Sequence, residues 1–390
     1  MNIWKTGKSI PIKSWCNDLE NGAKEQAENL AKHPSMFHHV ALMPDCHRGY
    51  GMPIGGVIAS RDIIPNAVGA DIGCGMIAVN THILVDNFGI EARKHAMGEI
   101  RKVVPVGFSH QEEIQKWEGF DRCPDIPAVK KELQKATRQL GTLGGGNHFI
   151  EIQASDEGEV WVMIHSGSRN FGYKIAKHYN ELAQELCTKY HSVVCPFKGE
   201  NGLAFLPHDS EEAEEYVAAM NYALEFALEN RFAMMRKVKK VMDIHGCLAR
   251  DEINIHHNYA VLENHFGQNV WVHRKGATSA REDQLGIIPG SMGTSSYIVK
   301  GLGNPESFNS CSHGAGRAMG RIQASRTLSE EECNKAMEGI VYGRWGKDRK
   351  GRVDLGEAPQ AYKDIDVVME SQKDLVKPIV KLRPLAVIKG

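Results

Sequence analysis

Five short segments of the sequence, four of them rich in glycine, carry side chains that bind metals or act as nucleophiles. They read GADIGCGM (residues 69–76), GGGNHFIE (144–151), HSGSR (165–169), NIHHNY (254–259) and SCSHGAGR (310–317). Glycine costs backbone entropy in regular elements and is used where the chain turns sharply or approaches another group closely. The repeated combination of glycine with Asp, Cys and His therefore predicts one metal-dependent active site built from separate loops.

The first segment places Asp71 and Cys74 three residues apart among glycines. A tight turn there would direct a carboxylate and a thiol toward one point. A divalent cation deprotonates a neighbouring thiol, and the resulting thiolate is a metal ligand that can bridge two ions. The alternative interpretation is a buried cysteine in a turn that the aspartate caps.

The second and third segments lie at the ends of a predicted β-hairpin. Residues 148–152 and 160–164 read as strands around a turn at 156–159, and the second strand, VWVMI, is apolar throughout and is expected to be buried on both faces. His148 opens the first strand and His165 follows the second, so we expect both imidazoles at one sheet edge. Mixed His, Asp and Cys ligation suits zinc, manganese, iron or cobalt, and the sequence does not choose among them.

The fourth segment contains two adjacent histidines, His256 and His257, between Asn254 and Asn258. Adjacent side chains of an extended segment point to opposite faces, so only one of the two joins a metal cluster easily. We expect one ligand and one supporting histidine, with the asparagines fixing a ring or holding a phosphate oxygen.

The fifth segment offers a further nucleophile. His313 is followed by Gly314 and Gly316, which let a phosphorylated ligand approach the backbone, and by Arg317. Histidine can be a ligand, a base or a nucleophile that forms a covalent intermediate. The planar guanidinium groups of Arg317 and of Arg169 suit phosphate binding. The alternative is an ordinary histidine in a loop before a helix.

The elements that must position these segments read as a mixture of helices and short strands. Residues 209–241 form the longest predicted helix, which opens with Asp209 and Glu212 in a capping-box arrangement, and a later helix starts near Ser329 with Glu332. We expect one α/β domain of the mixed α+β kind over residues 1–390, with short sheets around a central cleft and a helical insertion at 173–242. Further helices are expected at 24–33, 89–103, 128–140 and 173–190, and further strands at 37–43, 54–59, 76–81, 270–274, 297–299 and the closing LAVIKG.

Composition limits the class of protein. The chain has 390 residues, 42% of them hydrophobic and 24% charged, which is ordinary for a globular protein. Its net charge of −1 argues against a broad surface that coats nucleic acid, although its 47 Lys and Arg residues can form a local basic groove. No apolar run approaches the ~20 residues that span a bilayer, so no membrane association is expected. Nine cysteines without C-x-x-C spacing, and a start without a signal-peptide core, predict reduced thiols in the cytoplasm.

Together the segments resemble a known family. VGADIGCGM, LGGGNHFIE, HSGSR, EINIHHNY, IIPGSMG, SCSHGAGR, AYKDID and the closing VIKG are similar, in this order from about Met43 to Gly390, to RtcB-type ligases. These are GTP-dependent 3′-phosphate/5′-hydroxyl RNA ligases with an α/β fold of their own. The resemblance implies joining of an RNA 3′-phosphate or 2′,3′-cyclic phosphate to a 5′-hydroxyl, in RNA repair or tRNA splicing, with two manganese ions and GTP. Action on DNA ends stays open, as does an activating protein partner.

The resemblance also implies roles for individual residues. Asp71 and His148 would bind one Mn²⁺, His165 and His257 the other, and Cys74 would bridge them. His313 would be the residue that receives GMP, and Arg169 and Arg317 would contact the RNA end. The implied GTP site comprises Asn147, His148, Phe149, Ile150, Glu151, His257, Asn258, Pro289, Gly290, Ser291, Met292, Ser296, His313, Gly314, Ala315, Gly316 and Lys389, with Glu151 at the guanine edge.

The sequence departs from the family pattern in two places. The loop 45–51 reads DCHRGYG where better-known members carry DVHLGKG, so Tyr50 replaces a lysine, and residues 340–357 do not align clearly. We expect both departures to affect contacts with RNA ends more than the metal cluster. Two other hypotheses remain: a two-metal phosphoesterase or cyclic phosphodiesterase that does not use GTP, and a noncatalytic metal-stabilised nucleic-acid-binding protein.

Overall fold

The computed structural model describes residues 1–194, 196, 198–199, 201–244, 252–347 and 351–390. Helices and sheets are interspersed along this part of the chain, which confirms the predicted mixed α/β class. None of the helices in the described ranges is long and apolar enough to cross a membrane. The helices are Asn21–Ala31 (α1), Pro65–Val68 (α2), Ile90–Val103 (α3), Pro127–Gln139 (α4), Arg169–Lys189 (α5), Glu211–Val241 (α6), Arg321–Thr327 (α7), Glu330–Ala336 (α8) and Ile365–Ser371 (α9).

The strands form two large sheets and two small ones. The larger sheet has the order β12-β13-β18-β6-β7-β5-β8, with β15 beside β18, and the second has the order β1-β2-β3-β4-β10-β9. The pairs β11-β14 and β16-β17 complete the set. The strands are Asn2–Trp4 (β1), Ile12–Ser14 (β2), Met36–His47 (β3), Ile54–Ser60 (β4), Gly75–Leu84 (β5), Phe149–Ser155 (β6), Glu159–Ser166 (β7), Glu252–His256 (β8), Asn258–His265 (β9), Gln268–Lys275 (β10), Ala277–Ser279 (β11), Leu285–Ile288 (β12), Ser296–Gly301 (β13), Ser310–Ser312 (β14), Val341–Tyr342 (β15), Gly346–Lys347 (β16), Val353–Asp354 (β17) and Val376–Lys389 (β18).

The two large sheets meet at a single residue of the chain. β8 belongs to the larger sheet and β9 to the six-stranded sheet, and His257 lies between them. The predicted hairpin is confirmed, because β6 and β7 pair antiparallel with Phe149 opposite His165. The register brings His148 and His165 to the same end of this strand pair, near His257, where the chain passes from one sheet to the other.

Helices α3 and α6 cover one face of the larger sheet. One hydrophobic cluster joins them. The strands contribute Ile77, Val162 and Ile164 to it, α6 contributes Met234 and Val238, and all five side chains are fully buried. Burial on this scale stabilises by roughly 1.5–3 kcal/mol for each large side chain. The residues of α6 that face the sheet therefore lie behind the loops that carry the predicted metal ligands, whose cluster is called the metal-type cluster below.

Helix α6 begins one residue later than the sequence pattern predicts. The prediction that Asp209 caps the helix is wrong, since Ser210 is the N-cap and its side chain accepts a hydrogen bond of 3.2 Å from the backbone N–H of Ala213. We therefore expect Ser210→Ala to lower the free energy of unfolding by about 1 kcal/mol. Asp209→Ala serves as the matched control and should leave it unchanged in urea denaturation. Equal effects of both substitutions would contradict this assignment.

Candidate active site

Four of the five segments converge on one cluster of buried side chains. The Sγ of Cys74 lies 3.5 Å from Nε2 of His148 and 3.3 Å from Nε2 of His165. The Nε2 of His165 lies 3.3 Å from Nε2 of His257, and Nε2 of His148 lies 3.2 Å from Oδ2 of Asp71. Cys74 is central in this arrangement, since it contacts His148, which directly precedes β6, and His165 of β7.

The orientation of the rings suits metal binding. The Nδ1 of His148 bonds to the carbonyl of Leu143 at 2.9 Å, and Nδ1 of His165 bonds to the carbonyl of Asn147 at 3.1 Å. A carbonyl only accepts, so each Nδ1 carries the proton and each Nε2 presents a lone pair to the cluster. Converging lone pairs with a thiol and a carboxylate make a donor set that fits a transition-metal ion.

Burial sets the protonation states of these groups. It holds the pKa of His165 and His257 well below the usual value, which keeps both rings neutral, the form that binds metals. Burial also raises the pKa of the Cys74 thiol, an effect that a bound cation reverses. Although burial opposes ionisation of Asp71, His148 and then Arg169 lower the pKa of its carboxyl group.

His256 and His257 point in opposite directions, as predicted for an extended segment. His257 joins the cluster, whereas Nδ1 of His256 lies 3.1 Å from Nη2 of Arg231 in helix α6. This buried arginine also donates to the carbonyls of Gly73 at 2.9 Å and Ser166 at 3.0 Å. Gly73, Ser166 and His256 are each adjacent in sequence to a residue of the cluster, so one guanidinium group ties three ligand-bearing segments together.

No sequence pattern marked Arg231 or its neighbour Asn230. Both occur within a long helix, where arginine and asparagine ordinarily face solvent. Asn230 is fully buried, accepts hydrogen bonds from the backbone of Gly141 and Thr142, and donates to the carbonyl of Gly167 at 3.0 Å. Helix α6 therefore fixes the backbone behind the cluster as well as filling the core.

His313 lies beside the cluster and is oriented by an aspartate from strand β3, which is distant in the sequence. Its ring centroid is 4.8 Å from that of His257. The carboxylate of Asp45 accepts hydrogen bonds from Nδ1 of His313 at 2.6 Å and from the His313 backbone at 3.1 Å. Since Asp45 holds the proton on Nδ1, Nε2 is the ring nitrogen with a lone pair available for attack. Asp45 is fully buried and was not among the residues predicted from the sequence.

The loop after His313 packs closely on its neighbours. Gly316 has a φ of +74°, and a Cβ at this position would lie 2.4 Å from the carbonyl oxygen of Asp45, so only glycine fits. The backbone N–H of Ala315 donates to the carbonyl of Pro289 at 2.9 Å. The segments 289–292 and 313–316 therefore form one continuous wall.

The cluster and His313 open into one cleft of about 1880 Å³. This volume exceeds that of an ordinary small-molecule site, for which about 300–1,000 Å³ is typical, and leaves room for a second ligand. The wall at 289–292 and 313–316 forms part of the cleft. The other predicted residues that line it are Asp71, Cys74, Asn147, Phe149, Glu151, His165, His257, Asn258, Arg317 and Lys389.

Glu151 and Lys389 form the polar part of the cleft floor. Glu151 is 2% exposed and accepts a 2.7 Å hydrogen bond from Gln153, and burial raises the pKa of its carboxyl group to about 7 against the opposing charge of Lys389. Lys389 contacts Glu357 at 3.0 Å, and the same carboxylate pairs with Arg317 at 3.2 Å. Glu357 lies in the region that does not align with the family pattern, and sequence reasoning missed it.

Three predicted residues occupy other positions. The side chain of Ile150 points into the core on the α6 side of the sheet, and the Ser296 hydroxyl accepts hydrogen bonds from Gly290 and Gln153 without lining the cleft. Arg169 bonds to Thr142 and to the carbonyl of Gly107, also outside the cleft lining. Arg169 thus braces the loops around Asp71, and the structure does not bring it to the cleft together with Arg317.

Comparison with known proteins decides the family. Residues 26–125 and 110–390 match the family described as "tRNA-splicing ligase RtcB". The chain belongs to the RtcB family. It is 39% identical to the RNA-splicing ligase RtcB of Escherichia coli (strain K12), over 99% of this chain and 98% of the relative. It is 32% identical to the tRNA-splicing ligase RtcB of Nanoarchaeum equitans, over 100% and 98%. Identity to the RNA-splicing ligase RtcB of Mycobacterium tuberculosis is 33%, over 94% and 100%.

Membership in the RtcB family bears out the resemblance read from the eight sequence motifs. Those motifs supply the metal-type cluster, His313 and the cleft wall, and the structure places them around one cavity. The matches cover 98% of the length of the Escherichia coli and Nanoarchaeum equitans relatives.

Proposed function

We propose that this protein is an RNA ligase that joins 3′-phosphate or 2′,3′-cyclic phosphate ends to 5′-hydroxyl ends, using GTP and two Mn²⁺ ions. The observation that carries this proposal is the placement of His313. Its Nδ1 is held by Asp45, and its ring lies 4.8 Å from a histidine of the metal-type cluster within one cleft. A hydrolase needs the cluster alone, whereas an oriented histidine beside it suits covalent transfer of a nucleotide.

The proposed reaction has three steps from a 3′-phosphate end. A 2′,3′-cyclic phosphate first adds water, which breaks the P–O2′ bond and gives the 3′-phosphate and a 2′-hydroxyl. Nε2 of His313 attacks the α-phosphorus of GTP, an N–P bond forms, and pyrophosphate leaves. An oxygen of the RNA 3′-phosphate then attacks the same phosphorus, which frees His313 and leaves an activated 3′-diphosphate linkage to guanosine. Finally the 5′-hydroxyl oxygen attacks the RNA phosphorus, loses its proton, and GMP departs. Division of one difficult step into easier ones is the advantage of covalent catalysis.

Within this proposal, Asp71 and His148 would hold one Mn²⁺, His165 and His257 would hold the other, and Cys74 would be a ligand to both. The Cys74 Sγ distances of 3.5 and 3.3 Å to His148 and His165 support a shared central ligand. When bound, the two cations stabilise negative charge on the attacking and leaving oxygens. Asp45 keeps the proton of His313 on Nδ1 throughout, and Arg231 holds the ligand loops in register.

The proposed GTP site lies between the floor of the cleft and the wall formed by 289–292 and 313–316. Glu151 would accept hydrogen bonds from the guanine N1–H and N2–H₂ groups, and Asn147 and Lys389 would complete the polar contacts. Phe149 offers an aromatic face that Lys389 already covers at 5.4 Å. Neither the side chain of Ile150 nor that of Ser296 lines the cleft. In the proposed site Ile150 would contribute its backbone, and Ser296 would hold Gly290 by accepting a hydrogen bond from its N–H.

The deciding experiment is incubation of the purified protein with GTP labelled at the α-phosphate and with manganese. We expect an acid-labile, alkali-stable label on the peptide that contains His313. The matched control is GTP labelled at the γ-phosphate, which should leave no label because pyrophosphate departs. Addition of RNA with 3′-phosphate and 5′-hydroxyl ends should discharge the label and yield joined RNA. Absence of label at intact metal content, with cleavage of phosphate esters, would favour the two-metal phosphoesterase.

The raised pKa of Glu151 predicts that guanine recognition depends on pH. Only the carboxylate accepts from both guanine donors, so affinity for GMP, which cannot react, should increase about tenfold from pH 6 to pH 8 as a group with a pKa near 7 ionises. Glu151→Gln should abolish this increase, since its amide does not titrate. Calorimetric titration of both proteins checks the expectation. A wild-type affinity that is constant over this range would contradict the role of Glu151.

A further inference from the structure

An exposed aromatic side chain lies at the rim of the cleft on a firmly held loop. Tyr50 lines the cleft and is 63% exposed, in the loop where the family pattern carries a lysine. Its carbonyl accepts hydrogen bonds from the N–H of Met52 at 2.8 Å and from the buried Nζ of Lys275. Gln26 bonds to both the N–H and the carbonyl of Gly49, at 3.1 and 2.7 Å. Hydrogen bonds from Gln26 and Lys275 therefore hold the backbone of residues 49–50, whereas the ring of Tyr50 is exposed to solvent.

A second exposed aromatic residue also lines the cleft. Tyr173 of helix α5 lines the cleft and is 46% exposed. The short helix α2 connects the two, since Lys275 bonds to the carbonyls of both Tyr50 and Asn66, and α2 packs against α5. Large aromatic side chains that stay exposed beside a binding cleft mark a surface for a partner.

The charge of the cleft identifies the partner. Among the described residues that line it, eight are Lys or Arg and five are Asp or Glu, a net formal charge of +3. The whole chain has a net charge of −1. Positive charge is thus concentrated in the cleft that Tyr50 and Tyr173 line. A basic groove with projecting aromatic rings is the arrangement by which proteins hold single-stranded nucleic acid, because bases stack on the rings and phosphates meet the cations.

We propose that Tyr50 stacks against an unpaired base of the RNA end, so that this protein selects ends whose terminal nucleotides are single-stranded. The inference rests on the proposed function and adds a specificity determinant to it. A lysine at this position would hold RNA mainly by its charge, whereas the ring of tyrosine stacks on an accessible base. The replacement therefore shifts recognition at this rim from charge to stacking.

The test is equilibrium binding of fluorescent RNA with a 3′-phosphate, measured by anisotropy on an end with a four-nucleotide overhang and on a blunt duplex. Wild-type protein should bind the overhang more tightly. Tyr50→Ala should weaken that binding about 5- to 150-fold, the range for one base stacked on one ring, and should remove the preference over the blunt end. Tyr50→Phe should bind as wild type, because the stacking face is kept.

Two controls make the result specific. Tyr190→Ala removes a tyrosine that is 69% exposed at the end of α5 and does not line the cleft, and it should leave binding unchanged. Abasic nucleotides in the overhang should eliminate the difference between Tyr50→Ala and wild type. Equal binding of the overhang by Tyr50→Ala and wild type would overturn the inference. Since binding does not require ligation, failure of the labelled-GTP assay on the same preparations would count against the proposed function alone.

Discussion

Asp45→Asn is expected to lower the rate of His313 guanylylation by about 10³- to 10⁴-fold, as the loss of the orienting aspartate does in Ser-His-Asp hydrolases. The buried carboxylate of Asp45 accepts from Nδ1 of His313 at 2.6 Å. An asparagine amide placed there can donate instead, which favours the tautomer with its proton on Nε2. The attacking nitrogen then has no free lone pair, although the ring keeps its place.

The measurement is the initial rate of label transfer from α-labelled GTP at saturating manganese. His313→Ala defines the background, and Asp125→Asn, a carboxylate with 92% of its side chain exposed before helix α4, is the matched control and should react as wild type. Metal content and unfolding curves should show that Asp45→Asn remains folded and loaded. A rate within tenfold of wild type would refute the assigned role of Asp45.

Arg231→Met is expected to lower the free energy of unfolding by about 3–5 kcal/mol, because removal of one partner leaves buried polar groups unpaired. Arg231 is fully buried and donates to the carbonyls of Gly73 and Ser166 and, at 2.8 Å, to Oδ1 of Asn254. Methionine has a similar length but cannot donate. Since these bonds fix the segments that carry Cys74, His165 and His257, metal affinity should also fall, by about 10- to 100-fold.

Urea denaturation and manganese titration test the two parts of this prediction. Arg236→Met is the matched control on the same helix, since the Arg236 side chain is 62% exposed and pairs only with Glu229 among the contacts that the structure describes. It should change the free energy of unfolding by less than about 0.5 kcal/mol. If both variants unfold at the same urea concentration, Arg231 does not have the structural role assigned to it.

The parts of the site that could be predicted are those with a local pattern. Side chains alternate between the two faces of an extended segment, which predicted that only one of His256 and His257 joins the cluster. Two apolar runs around a turn predicted that His148 and His165 lie at the same end of a strand pair. Both expectations are confirmed by the strand register. Most predicted helices and strands lie within a few residues of those observed. The closing strand is an exception, since it begins at Val376, well before the predicted LAVIKG, and Ser210 rather than Asp209 caps α6.

The missed residues act through contacts between distant parts of the chain. Asp45 and His313 are 268 residues apart, and Arg231 and Gly73 are 158 apart. No local periodicity marks a charged residue whose partner lies that far away, because its burial depends on how the elements pack. Glu357 shows the same limitation, since its three cationic partners come from α7, the loop before α7, and β18.

Strand β18 has a consequence for how the molecule is made. It lies in the interior of the larger sheet, between β13 and β6, although it comes more than 200 residues after β6 in the chain. During synthesis on a ribosome, β6, β7 and β5 emerge early but have an open edge until residues 376–389 arrive. Pairing over such long separations is slow, and Lys389 enters the cleft with the same strand. The residues of the cluster, from Asp71 to His257, are therefore synthesised well before Lys389, and aggregation through the open edge is a hazard in that interval.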